Sequence, residues 1–143
     1  MEKKAKILFV DDEEIILSNV KDFLEDTFNI TTESSPHAAL ELLKNEKFDI
    51  VISDFKMPKM SGADFLSAAK KLDGYIYGIL LTAYAEKSIL QQMINDNLIN
   101  KVIEKPYKLR DLRDILEEGT VFCEKKKLEA EKIEAMKLSF ETL

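Results

Sequence analysis

Short apolar runs alternate with amphipathic segments along most of the chain. The runs are rich in β-branched residues, whereas the segments between them carry apolar residues at a spacing of three and four, which is typical of helices. Ser35 followed by Pro36 gives a clear helix start, an N-cap residue before Pro at the first helical position. The predicted strands are 6–10, 28–32, 48–53, 77–82 and 101–104, and the predicted helices are 13–26, 36–45, 62–72, 88–97 and 109 onward.

Five strands and five helices in strict alternation predict an α/β fold. The strands contain consecutive apolar residues, as strands do when both faces of a sheet are covered by helices. The sequence therefore predicts a doubly wound, five-stranded parallel sheet of about 120 residues with an extended C-terminal helix.

The strand ends carry the candidate chemistry. In a doubly wound sheet, ligands bind beyond the carboxyl ends of the strands. Here the first strand ends at Asp11 and Asp12, the third at Asp54, the fourth at Thr82 and the fifth at Lys105. We therefore expect three carboxylates, a hydroxyl and an ammonium group at one edge of the sheet.

These five groups suit magnesium-dependent phosphoryl chemistry. Three neighbouring carboxylates repel one another unless a hard cation lies between them, and Mg²⁺ prefers such oxygen ligands. A carboxylate beside Mg²⁺ can also attack phosphorus, forming an aspartyl phosphate whose oxygens Lys105 and Thr82 can contact. The chain has one His and one Cys, too few for a zinc cluster, and four scattered Gly, which do not form a nucleotide-binding loop.

Charge and composition limit which ligands and which cellular compartment we expect. The net charge is −6, and residues 121–143 hold five Lys and five Glu, so the excess acid lies in residues 1–120. An acidic body disfavours direct nucleic-acid binding. The apolar runs are too short to span a membrane, and the single Cys123 cannot form an internal disulfide, so we expect a cytoplasmic protein.

Together these residues resemble the receiver domain of bacterial response regulators, the CheY-like family of two-component signal transduction. The resemblance covers roughly residues 5–119. The positions that carry it are Asp11, Asp12, Asp54, Met57, Pro58, Gly62, Thr82, Lys105 and Pro106. It implies a flavodoxin-like fold and a cis peptide at Pro106.

The resemblance also implies a role for each site residue. Asp54 would accept a phosphoryl group from a histidine kinase or a histidine phosphotransfer protein. Asp11 and Asp12 would bind Mg²⁺, or Mn²⁺ as a substitute, together with Asp54 and the backbone carbonyl of Lys56. Thr82 and Lys105 would contact the phosphoryl group and carry the signal to a partner surface. Such a phosphoacceptor is not a turnover enzyme on an external substrate.

Three positions are expected to modulate the switch. Many receivers carry an aromatic residue three positions before the conserved Lys, where this chain has Val102. The switch is therefore not expected to use the inward swing of an aromatic ring, whereas a backbone movement driven by Thr82 remains open. Lys56 and Tyr84 lie two residues after Asp54 and Thr82, and we expect them to set the lifetime of the phosphate, the alternative being two solvated side chains.

Two other classes of function remain open at this point. A magnesium-dependent hydrolase that forms an aspartyl phosphate usually places a second Asp two residues after its nucleophile, where this chain has Lys56. A degenerate receiver would act only as a protein-interaction module, although all the signature groups are present.

The end of the chain predicts more helix beyond the receiver. We expect a receiver domain over 1–119, whose last helix ends near Glu118, and a helical extension over 120–143, with a separate helix after Gly119 as one possibility. The extension indicates either a coiled-coil linker or a solvated helix packed on its own domain. A coiled coil would form a homodimer or lead to an output domain absent from this chain. The a and d positions would be Leu112, Ile115, Gly119, Phe122, Lys126, Glu129, Ile133, Met136, Phe140 and Leu143.

Overall fold

The computed structural model describes residues 3–83 and 87–141, apart from the side chains of residues 87 and 89. A five-stranded parallel sheet has the strand order β2-β1-β3-β4-β5. The strands are β1 (Lys6–Val10), β2 (Asn29–Glu33), β3 (Ile50–Asp54), β4 (Tyr77–Thr82) and β5 (Lys101–Glu104). The helices are α1 (Glu14–Leu24), α2 (Pro36–Asn45), α3 (Gly62–Leu72), α4 (Lys87–Asn95) and α5 (Leu109–Glu141).

The sheet is buried on both faces, as the consecutive apolar residues of its strands predict. In β1, Ile7 and Phe9 pack in the apolar cluster under α1 and α5. Leu8 and Val10 point to the other face, where they pack in the cluster formed with α2, α3 and α4. Two apolar layers on one sheet confirm the predicted doubly wound, flavodoxin-like α/β fold.

Several predicted boundaries shift by one or two residues, and one shift concerns the site. The third strand, predicted over 48–53, runs from Ile50 to Asp54. Asp54 thus belongs to the strand itself, where it lies opposite Leu81 of β4. The fourth helix ends at Asn95 instead of 97, and Asn97 adopts a left-handed conformation with a φ of 60°.

The last helix does not end near Glu118, and the expectation of a separate helix after Gly119 is wrong. A single helix, α5, runs through Gly119 to Glu141. A glycine inside a helix normally costs stability. Here a Cβ at Gly119 would lie 3.1 Å from side-chain atoms of Ile50 and Tyr77, so the glycine allows α5 to approach the sheet closely.

Asp49, just before β3, anchors the middle of α5 to the domain. Its carboxylate accepts hydrogen bonds from the Lys127 ammonium group and from the backbone N–H of Lys6, both at 2.8 Å. Its carbonyl oxygen accepts from the Cys123 thiol at 3.4 Å. We call these three contacts the Asp49 clasp. The Phe122 ring also packs on Tyr77, with ring centroids 5.3 Å apart.

The predicted coiled-coil seam therefore divides into two parts. Leu112 and Gly119 at its start are buried against the domain's own sheet. Ile133, Met136 and Phe140 at its end are exposed, and Leu143 lies outside the described residues. Across the described part of the chain, none of the helices combines the length and apolar character that a membrane crossing requires.

Candidate functional site

The carboxyl edge of the sheet brings together the side chains that the strand ends predicted. Backbone hydrogen bonds continue past the strands and hold this edge in register. The N–H of Phe55 donates to the Leu81 carbonyl, and the N–H of Lys105 donates to the Thr82 carbonyl, both at 2.8 Å. Because of this register, Asp54, Thr82 and Lys105 project from three neighbouring strand ends.

Three acids form a cluster at this edge. Asp11, Asp12 and Asp54 each offer a carboxylate oxygen, and these three oxygens lie within 4.8 Å of one another. Asp11 is 1% exposed and Asp54 is 6% exposed, whereas Asp12 faces solvent. A mostly buried group of negative charges at such short range is unfavourable on its own.

Burial makes the ionised form of Asp11 costly. Its Oδ1 accepts the backbone N–H of Glu13 at 2.9 Å, but its buried Oδ2 has no hydrogen-bond partner among the described residues. The pKa of Asp11 is raised to about 6, mainly by burial and also by the neighbouring Asp54 carboxylate, and this value includes the lowering effects of the Glu13 N–H and of Lys105. A divalent cation would satisfy Oδ2 and neutralise the cluster, so these residues fit a magnesium ion.

Lys105 forms an ion pair with the Oδ1 atom of Asp54. The ammonium group is partly exposed, whereas the carboxylate that it contacts is largely buried. Thr82, at the end of the adjacent strand, is 3% exposed. Asp54, Thr82 and Lys105 thus lie at the ends of three neighbouring strands, on one edge of the sheet.

The loop after β3 returns to Asp54 through Gly62. The Gly62 N–H donates to the Phe55 carbonyl at 2.8 Å, and Ser61 caps α3 by accepting the Asp64 N–H at 3.1 Å. A Cβ at Gly62 would overlap the Asp54 carbonyl oxygen and lie 2.9 Å from the Cα of Phe55. Glycine is therefore required here because two stretches of backbone meet.

The predicted modulatory positions lie in different environments. Lys56 is exposed on the loop after Asp54, and the part assigned to its backbone carbonyl stays a prediction. Tyr84 lies outside the described residues. Val102 is half-buried and packs against the apolar cluster under α2, α3 and α4. The effect of these residues on phosphate lifetime and on the switch stays a prediction.

Tyr107 belongs to the surroundings of the site, although sequence reasoning did not select it. The pKa of its phenol is raised to about 12, mainly by burial and in part by the carboxylates of Asp11 and Asp54. It follows the Lys105–Pro106 peptide, which is cis as expected. Its position two residues after the candidate lysine was the available signal, but one aromatic residue in a loop is common.

Comparison with known proteins agrees with this geometry. The profile of the response regulator receiver domain matches residues 7–117. The sporulation initiation phosphotransferase F of Bacillus subtilis is 30% identical over 112 residues, covering 76% of this chain and 88% of that protein. The probable C4-dicarboxylate response regulator DctR of Bacillus subtilis is 28% identical over 131 residues, covering 90% of this chain but only 57% of DctR.

A solved structure of a receiver domain also resembles this chain. The CheY-like response regulator receiver domain protein from Methanospirillum hungatei JF-1 superposes with a TM-score of 0.80 at 30% identity. The alignment covers 87% of this chain and 99% of that one. The likeness thus extends over nearly the whole of that receiver domain.

Proposed function

Because the chain belongs to the response regulator receiver domain family, we propose that Asp54 accepts a phosphoryl group and thereby switches a partner surface. The donor is a histidine kinase or a histidine phosphotransfer protein. The observation that carries the proposal is the placement of Asp54, a largely buried strand-end carboxylate that is paired with Lys105 and lies beside two further acids. This arrangement supports a nucleophile held in place next to a cation site.

Asp11, Asp12 and Asp54 would hold Mg²⁺, with Mn²⁺ as a substitute. When bound, the metal supplies positive charge that offsets the negative charge of the carboxylates and of the incoming phosphoryl oxygens. The unpartnered buried Oδ2 of Asp11 supports this assignment, because an ionised carboxylate oxygen in that position needs a cation or a donor.

The proposed transfer step uses each of the site residues. A carboxylate oxygen of Asp54 attacks phosphorus, and the P–N bond to the donor's imidazole breaks. The bonding electron pair stays on the imidazole nitrogen. Lys105 then shifts from the carboxylate to a phosphoryl oxygen, and the Thr82 hydroxyl donates to another. Movement of Lys105 and Thr82 displaces the ends of β5 and β4, which relays phosphorylation to the adjoining surface.

The residue two positions after Asp54 argues against the hydrolase alternative. Turnover of an external phosphate ester needs a group that protonates the leaving group and then activates water. The residue two positions after Asp54 is the exposed Lys56, not an acid. We therefore propose a phosphoacceptor that turns over only its own phosphate. This function requires neither the homodimer nor the output domain that the C-terminal extension led us to expect.

Phosphorylation by a small donor tests the proposal. The protein would be incubated with Mg²⁺ and acetyl phosphate, and its intact mass would be measured. We expect one added phosphoryl group that hydroxylamine or base removes and that is absent in Asp54→Asn. Asp64→Asn, a change at an exposed acid in the first turn of α3, is the matched control and should be labelled normally.

The other two functions predict different outcomes. Multiple turnover of small phosphate esters by the wild-type protein would favour the hydrolase. No labelling, together with no Mg²⁺-dependent change in NMR shifts, would favour the degenerate interaction module. Labelling that persists in Asp54→Asn would exclude Asp54 as the acceptor.

A further inference from the structure

The exposed end of α5 carries an apolar surface with no covering element in the described residues. Ile133, Met136 and Phe140 are 54%, 61% and 74% exposed. Their spacing of three and four residues places them on one face of the helix. We call these three side chains the tail stripe. Large apolar side chains aligned on one face of a projecting helix are typical of a docking surface for another helix.

The charges around the tail stripe are unevenly distributed. At 100° per residue, the exposed Lys132 borders one side of the stripe and the exposed Lys137 borders the other. The glutamates lie mainly on the opposite side of the helix, at Glu124, Glu131, Glu134 and Glu141. The segment is neutral as a whole, but its apolar face is bordered by positive charge.

A second copy of the chain fits this pattern poorly. In a parallel pair of copies, Lys132 at a g position would face Lys137 at an e position. In an antiparallel pair, the lysines at the g positions would face one another. Like charges beside the seam oppose pairing, so the border of the stripe disfavours the homodimer.

A membrane surface also fits poorly. Lys126 and Glu129 lie on the same face as the stripe and are 3.7 Å apart in an exposed ion pair. Inserting this face into lipid would bury both charges. Because residues 121–143 hold equal numbers of Lys and Glu, the segment also lacks the excess positive charge that attracts anionic lipids.

We propose that the tail stripe binds an amphipathic helix of a partner protein whose apolar seam is bordered by acidic residues. Glutamates at the partner's e and g positions would lie next to Lys132 and Lys137, while its apolar residues cover the stripe. The Asp49 clasp supports this function because it fixes α5 up to Lys127 and so presents the stripe beyond the domain. The proposal is independent of phosphorylation at Asp54.

Binding of two designed peptides to the full chain tests the proposal. Both are labelled helical peptides of four heptads with Leu at a and d in the two central heptads, which are long enough to cover the stripe, and Gln at the other a and d positions, which can face Lys126 and Glu129. One peptide has Glu and the other has Lys at e and g. Fluorescence anisotropy at low salt should give at least tenfold tighter binding of the Glu peptide. This preference should decrease as salt is raised. Equal binding of both peptides, or binding of neither, would overturn the proposal.

Two pairs of variants locate the surface. Ile133→Ala with Phe140→Ala should weaken binding of the Glu peptide at least tenfold. The control, Leu128→Ala with Leu138→Ala, removes side chains of comparable exposure from other faces of the helix and should bind normally. Equal losses in both pairs would contradict the assignment. Because all four side chains project from the helix surface, circular dichroism should report the same fold.

A charge reversal and two competing occupants complete the test. Lys132→Glu with Lys137→Glu should reverse the preference so that the Lys peptide binds more tightly, and an unchanged preference would refute the electrostatic argument. Light scattering that reports a dimer lost in Ile133→Ala with Phe140→Ala would assign the stripe to a second copy. Sedimentation with phosphatidylserine vesicles, lost in the same variant, would assign it to a membrane.

Discussion

Replacing Asp11 by Asn should stabilise the metal-free protein at neutral pH. The Asp11 carboxylate is buried, its Oδ2 has no hydrogen-bond partner among the described residues, and Asp54 lies beside it. Asn keeps the shape and retains an Oδ1 that can accept the Glu13 N–H. It removes the negative charge that burial and the neighbouring carboxylates disfavour.

The magnitude follows from the pKa of Asp11, which burial raises from 3.8 to about 6. Each tenfold change in the proton equilibrium is worth about 1.4 kcal/mol, so ionised Asp11 costs the folded state about 3 kcal/mol. Below pH 3.8 the group is protonated in both the folded and the unfolded states, and the cost is absent. It grows as the pH rises and is complete above pH 6, with about half of it present at pH 5.

Urea denaturation of the wild type and Asp11→Asn in EDTA, between pH 5 and pH 8, measures this effect. The free energy of unfolding should be higher in Asp11→Asn, and the difference should increase with pH. Adding Mg²⁺ should stabilise the wild type and have less effect on the variant, since the variant lacks one ligand charge. Asp12→Asn is the control, because it removes a charge that solvent already screens and should give a smaller gain.

Two outcomes would refute this reasoning. If Asp11→Asn were less stable than the wild type at pH 8 in EDTA, the burial of the charge would not be costly. If the difference did not change between pH 5 and pH 8, it would arise from packing instead of from ionisation.

Gly62→Ala should lower the free energy of unfolding by about 2–3 kcal/mol, because the added Cβ meets backbone atoms that cannot turn away. Gly74→Ala, where no atom lies within 4 Å of the added Cβ, should change it by less than about 0.5 kcal/mol, and equal effects at both sites would contradict the steric argument. Lys127→Met should cost less than about 1 kcal/mol yet make the Cys123 thiol react several-fold faster with a disulfide reagent. Burial raises the pKa of that thiol to about 11 and keeps it protonated while the helix is docked. Lys126→Met should leave the reaction rate unchanged, and a rate unchanged in both variants would exclude opening at the clasp.

The fold and the location of the site could be predicted because both depend on local patterns. Consecutive apolar residues followed by helical spacing indicate a parallel sheet, and a parallel sheet brings all carboxyl ends to one edge. Asp54, Thr82 and Lys105 could therefore be grouped without knowledge of any contact between them. The error at β3 was a matter of two residues, which did not change the edge on which Asp54 lies.

Contacts between residues that are far apart along the chain could not be predicted from local sequence patterns. Cys123 and Lys127 are 74 and 78 residues from Asp49 along the chain, and no spacing rule connects such positions. Gly119 indicated a helix end because glycine disfavours helices. The structure shows instead that a glycine at this position allows α5 to approach Ile50 closely. The buried, unpartnered oxygen of Asp11 likewise depends on the packing of the whole edge.

The uninterrupted course of α5 makes the tail a lever arm. Beyond Lys127, α5 continues for 14 residues to Glu141, which at 1.5 Å per residue gives an arm of about 21 Å. A tilt of about 5° at the clasp would therefore move the end of the arm by about 2 Å. Strand β3 connects the Asp49 clasp with the candidate site, since Asp49 immediately precedes its first residue and Asp54 is its last residue. A displacement too small to disturb the core would thus be enlarged toward Glu141.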